Sequence, residues 1–163
     1  MIDWQETIKK YSIEYLKDFP QKQPENALYV TRCCKIKTTD PEAIPKEFYK
    51  SDIVQRFIRF CETNDLNYAI LSDLYGIHVK DEKMQTYDIH PSSLSEAQIT
   101  HLGSLIRSKC DYIKVDTIYY YNPSPLMSIP YFRMLAKSQL KVYYLSQLKK
   151  EEKYFEANED MFA

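Results

Sequence analysis

The sequence predicts an α/β protein: a three-layer αβα sandwich around a mostly parallel four-stranded sheet. Three observations carry this. Short apolar runs rich in Val, Ile and Tyr alternate with segments of helical period, and right-handed crossovers between such runs make the strands parallel and cover both faces. The runs are nearly continuous in apolar residues, as in strands buried on both faces. The chain has 163 residues, 44% hydrophobic and 28% charged, enough for one domain with a core that needs neither disulfides nor metals. Residues 1–163 therefore read as a single domain, with an N-terminal helix within 1–20, an αβα core over 27–145 and a charged tail over 149–163.

Asp3 and Glu6 read as a capping box, and Trp4, Ile8, Tyr11 and Tyr15 fall on one helical face that runs to Asp18. Pro20 and Pro24 punctuate the connection to a strand that starts at Ala27 and ends near Cys34. After a loop with Pro41 and Pro45, Ser51 caps a helix through Thr63 whose inner face carries Ile53, Phe57 and Phe60. Asn67 to Ser72 is the second strand. A long polar stretch follows Gly76, then Ser93 with Glu96 opens a helix bearing Ile99, Leu102, Leu105 and Ile106. Tyr112 to Tyr121 is the third strand, stopped by Asn122-Pro123-Ser124-Pro125. A helix from about Pro130 to Lys137 leads to the fourth strand, Lys141 to Leu145. The tail starts as helix and carries five acids against three lysines.

Composition removes several functions. Net charge is −1, without the global basicity of a nonspecific nucleic-acid binder. Arg32 to Arg59 nevertheless holds seven basic residues against four acids. Only two glycines are present, which excludes the P-loop, the dinucleotide fingerprint and the kinase glycine loop, since each needs several residues without Cβ. Four cysteines are too few for a secreted disulfide framework and read as thiols in a reducing compartment. Cys-x-x-Cys is missing, and His78, His90 and His101 are not at ligand spacing, so no metal or cofactor is expected. No run reaches the length of a membrane span, and the N-terminus lacks a signal-peptide pattern; a cytoplasmic protein with no membrane partner is expected.

Parallel sheets bind ligands beyond the carboxyl ends of their strands. Those ends nominate Cys33, Cys34 and Lys35; Ser72 and Asp73; Asn122 to Ser124; and Leu145 with Ser146. Cys34 is the candidate nucleophile, with Lys35 or Lys37 to lower its pKa, and Asp73 or Asp88 the candidate general base. As a small hydrophobe, cysteine also suits a strand on which Cys33 and Cys34 alternate between core and crevice. Fifteen tyrosines offer rings for base stacking, foremost Tyr75 and Tyr121 near strand ends.

Strand-Cys-Lys-x-Lys (Cys34 to Lys37), Phe48-Tyr49-Lys50-Ser51, Ile70-Leu71-Ser72 through Tyr75-Gly76, and Tyr87-Asp88 together resemble a family of small domains similar to the uracil-DNA-glycosylase-like domain of archaeosine synthase, a relative of the archaeal tRNA-guanine transglycosylases. The resemblance spans about Ala27 to Leu145 and implies the glycosylase fold. In such enzymes a His-Pro-Ser-Pro-Leu loop follows a late strand; Asn122-Pro123-Ser124-Pro125-Leu126 stands in its place, with Asn122 where the histidine would be. His90-Pro91-Ser92-Ser93-Leu94 matches by letters but follows a polar segment. After the first strand, Cys34-Lys35-Ile36-Lys37 replaces the water-positioning carboxylate or carboxamide, which argues against uracil excision.

Three functions follow as expectations. The first is a nucleobase, nucleotide or nucleic-acid recognition module serving RNA or DNA modification, in which Ser72, Asn122 and Ser124 bond a base, Tyr75 stacks on it, and Lys35 and Lys37 meet phosphate. The second is a base-releasing hydrolase or transferase that uses Asp73, Asp88 or Cys34. The third is a protein-interaction domain whose ancestral site is lost. The sequence leaves the oligomeric state open.

Overall fold

The computed structural model describes residues 3–20, 24–34, 37–85, 87 and 93–148. Lys35, Asp88, His90-Pro91 and the 149–163 tail lie outside the described residues. The fold is α/β, with a mostly parallel six-stranded sheet flanked by helices. The strands are β1 (Ile13–Leu16), β2 (Ala27–Arg32), β4 (Tyr68–Ser72), β5 (Gly76–Val79), β7 (Thr117–Tyr121) and β8 (Lys141–Leu145). Two short strands, β3 (Glu42–Ala43) and β6 (Met84–Gln85), form a separate antiparallel pair. The helices are α1 (Trp4–Lys10), α2 (Pro45–Phe48), α3 (Asp52–Thr63), α4 (Glu96–Tyr112) and α5 (Ile129–Ser138).

The sheet order is β1-β8-β7-β2-β4-β5. All neighbours are parallel except β5, which returns antiparallel on β4. The four strands expected from sequence, β2, β4, β7 and β8, form its continuous parallel core. Numbered by themselves they run 2-1-3-4, the order of a doubly wound sheet, with the switch point between β2 and β7. Helices cover opposite faces because neighbouring tyrosines on β7 alternate. Phe57 of α3 stacks on Tyr121 at 6.0 Å between ring centroids, while Phe132 of α5 meets Tyr120 edge-on at 5.6 Å.

Two of the six strands correct the sequence reading. The first helix does not continue to Asp18; Tyr11 ends it, Ser12 turns the chain at φ 58°, and β1 follows, parallel to β8. The aromatic stripe is real but closes across that turn. Trp4 meets Tyr15 edge-on at 5.0 Å, and the Tyr15 hydroxyl lies 2.9 Å from Ser146 Oγ. β5 arises inside the stretch read as polar loop, where Gly76 at φ 77° closes the hairpin and His78 is fully buried. Helix α4 runs through Tyr112, so the third strand begins at Thr117. The helix ends in a Schellman motif, with Val115 N–H donating to the Cys110 carbonyl at 2.8 Å and Lys114 at φ 62°. Its start is capped by Ser95 with Gln98, two residues beyond the expected Ser93.

Both glycines serve α4. A Cβ on Gly76 would come within 2.9 Å of the Leu102 carbonyl oxygen, and one on Gly103 within 2.4 Å of Lys137 Cβ on α5. The helix is thus pressed between the β4–β5 hairpin and α5 at backbone distance.

Candidate functional site

Beyond Arg32, β2 continues its ladder with β4 for one residue, since Cys33 N–H donates to the Leu71 carbonyl at 2.9 Å. That bond carries Cys33 alongside the end of β4, where Asp73 opens the hairpin turn. The Cys33 thiol donates to Asp73 Oδ2 at 3.2 Å, and the Tyr131 hydroxyl, from α5, donates to the same oxygen at 3.4 Å. Asp73 is 3% exposed, and its Oδ1 has no hydrogen-bond partner among the described residues. Burial pushes the carboxyl above the ordinary carboxylate range, although both donors and the charges of Lys37 and Arg32 pull it down. The Cys33 thiol, buried and facing a carboxylate, is pushed up to about 12.

A second polar chain lies behind this pair. His78 Nε2 is 2.7 Å from the Glu82 carbonyl oxygen, so that nitrogen carries the proton and Nδ1 accepts from the Tyr49 hydroxyl at 3.3 Å. The Tyr87 hydroxyl then donates to Tyr49 at 3.2 Å. Burial lowers the His78 pKa and keeps the ring neutral. Two cations flank the cluster. The Arg32 guanidinium lies 5.6 Å from the Tyr131 ring centroid and Lys37 Nζ 4.7 Å from that of Tyr87, both as cation–π contacts.

The residues expected at the site separate into three groups. Asp73 and Lys37 lie in the cluster. Ser72, Asn122, Ser124 and Tyr75 stand at the strand ends and bond nearby backbone, Ser72 also facing the Tyr49 and Tyr87 hydroxyls of the cluster. Ser72 Oγ accepts from Leu74 and Tyr75 N–H at 3.2 and 3.0 Å, and Asn122 Oδ1 from Ser124 N–H at 2.8 Å. Ser124 Oγ accepts from Met127 N–H at 3.3 Å, and the Tyr75 hydroxyl donates to the Gln85 carbonyl at 2.8 Å. The Tyr75 ring packs edge-on against Tyr87 at 5.6 Å. Lys35 and Asp88 form the third group, outside the described residues.

The cysteines do not divide between core and crevice. Both are buried, and the thiol that meets the carboxylate belongs to Cys33, not to Cys34. Tyr121 is likewise buried, stacked on Phe57. Sequence reasoning missed Tyr49, His78 and Tyr131 as parts of the site and noted Arg32 only within a basic run. Tyr131 stands 58 positions beyond Asp73, and only the fold joins them.

Tyr49, Tyr87 and Tyr131, all buried, pack around the Cys33–Asp73 pair. The adjoining open space is a cavity of about 310 Å³ between the hairpin turn and the first half of α4, lined by Asp73, Leu74, Leu94, Ala97, Gln98, His101 and Leu102. Leu74, Leu94 and Leu102 give apolar walls; Asp73, Gln98 and His101 supply polar groups. Gln98 uses its Oε1 to accept from Ser95 N–H at 2.7 Å, which leaves the amide nitrogen for other partners. Among the described residues, no three His, Cys, Asp or Glu side chains are grouped to hold a metal ion, and no helix is long and apolar enough to cross a membrane. No protein-family model, curated protein or solved structure matches this chain.

Proposed function

We propose that this chain is a nucleobase or nucleotide recognition domain of uracil-DNA-glycosylase-like fold, serving RNA or DNA modification, with Asp73 as the group that reads the base. The observation that carries the reading is the unpartnered Oδ1 of a buried Asp73 that lines a cavity. A buried polar atom without a partner costs roughly 1–3 kcal/mol, so a ligand donor that satisfies it recovers that energy on binding. Nucleobases carry N–H donors on a flat apolar ring, and the cavity is lined by Asp73 together with Leu74, Leu94 and Leu102. The 2-1-3-4 order of the parallel core, general to doubly wound sheets, supports an α/β sandwich of the kind the motif resemblance implies.

One observation favours a second reading, a base-releasing hydrolase. Burial raises the Asp73 carboxyl above the ordinary carboxylate range, the direction in which a general base is tuned. Cys33 is not suited to nucleophilic attack, because its thiol is held protonated.

Thermal-shift titration of the full chain with nucleobases, nucleosides, nucleotides and short RNAs tests the proposal. Stabilisation by at least one of them, weakened in Asp73→Asn, is the expected result; no shift with any overturns it. Assaying bound nucleosides for free base then separates the two readings, since only the hydrolase releases it.

A further inference from the structure

Among the described residues, the two cations beside Asp73 differ from those held in ion pairs. Lys46, Arg56, Arg107 and Lys109 each pair with a carboxylate. Arg32 and Lys37 make no ion pair among the described residues, although both are only half-exposed. Each instead sits over a tyrosine ring. Arg32 uses Nε to hold the Cys33 carbonyl oxygen at 3.3 Å, while its terminal nitrogens make no hydrogen bond to the described residues. The two rings flank one pair of groups, because the Tyr131 hydroxyl bonds Asp73 and that of Tyr87 faces the Cys33 thiol.

We infer that Arg32 and Lys37 form a phosphate subsite, so that the ligand is a phosphomonoester such as a nucleoside 5′-monophosphate rather than a free base. The ring seats hold both cations at the carboxyl edge of β2, where phosphates bind in doubly wound sheets. An arginine with free terminal nitrogens offers the planar donor pair that phosphate accepts, and lysine adds a point charge. The identity of the base end rests on the proposed function; the phosphate subsite does not.

The test is calorimetric titration of the full chain with a nucleoside, its 5′-monophosphate and ribose 5-phosphate. The monophosphate is expected to bind at least about tenfold tighter than the nucleoside, the contribution of charge-assisted bonds. That gap is expected to shrink in about 0.5 M salt and to close in Arg32→Gln/Lys37→Gln. Equal affinities, or a gap that survives in the double variant, overturn the inference. Ribose 5-phosphate separates it from the base reading. If no nucleoside binds, ribose 5-phosphate binding that is lost in the double variant still supports the subsite, and its failure to bind wild type overturns it. If the double variant fails to fold by circular dichroism, Lys37→Gln decides by the same gap.

Discussion

The Cys33 thiol donates to Asp73 Oδ2 across 3.2 Å, joining the ends of β2 and β4 through two side chains 40 positions apart. Burial raises both pKa values, so thiol and carboxyl are held toward their protonated forms. This pair defines the candidate site more narrowly than the strand ends do.

Asp73 should make stability fall with rising pH. Its folded pKa lies above the ordinary 3.8, so the native state binds this proton more tightly than the unfolded chain does. The stabilisation is complete below about 3.8 and is lost as pH climbs towards the raised value. Asp73→Asn, which does not titrate, should therefore gain in melting temperature relative to wild type as pH rises from about 4 to 7. Parallel melting curves across that range would contradict this.

His78 should act in the opposite sense. Its folded pKa lies below 6.5, so the unfolded chain takes up the proton first and stability drops as pH falls through that value. Urea titrations at about pH 7.5 and 5.5 should show wild type losing stability relative to His78→Gln. Tyr49→Phe should cost about 1–3 kcal/mol, because it leaves His78 Nδ1 buried without its donor.

All four cysteines are buried free thiols, and burial pushes Cys33 and Cys110 up to about 12. Iodoacetamide at neutral pH should leave the native protein unmodified by mass spectrometry and should add four groups once guanidinium unfolds it. Rapid native alkylation at Cys33 or Cys34 would restore the nucleophile reading.

The α4–α5 contact should tolerate no added methyl. Helix propensity alone favours alanine over glycine by about 1 kcal/mol. At Gly103 the new Cβ would meet Lys137 Cβ at 2.4 Å and the Met134 carbonyl oxygen at 2.9 Å, an overlap typically costing about 1–3 kcal/mol or more. Gly103→Ala should lower stability in urea titration on balance. Lys114→Gly should raise it by roughly 0.5–1 kcal/mol, because it relieves a left-handed residue at a helix end.

Such helix ends explain much of what the sequence concealed. Ser12, Asp65, Lys114 and Gln139 all take positive φ where helices stop, positions at which glycine is the usual signal. Without it, the spacing of Trp4, Ile8, Tyr11 and Tyr15 satisfies a continuous helix, and β1 stays hidden. Runs such as Ala27–Arg32 and Lys141–Leu145 are legible because burial on both faces demands nearly unbroken apolar sequence. The site divides along the same line. Asp73 is legible as a strand-end residue, because topology alone brings those ends together. Tyr131 is not, since nothing local to α5 marks it as a partner for Asp73. Asn122 and Ser124 look like ligand contacts, but a Pro-rich turn uses the same side chains to cap itself.

The proposed role of Asp73 is to read a base. Binding of the four common nucleosides to wild type and Asp73→Asn, measured side by side by calorimetry, tests it most directly. Asparagine replaces a carboxylate oxygen with an N–H donor, so the best wild-type ligand should weaken by about tenfold or more and the order of preference among bases should change. Identical affinities and an identical order in the two proteins would contradict it.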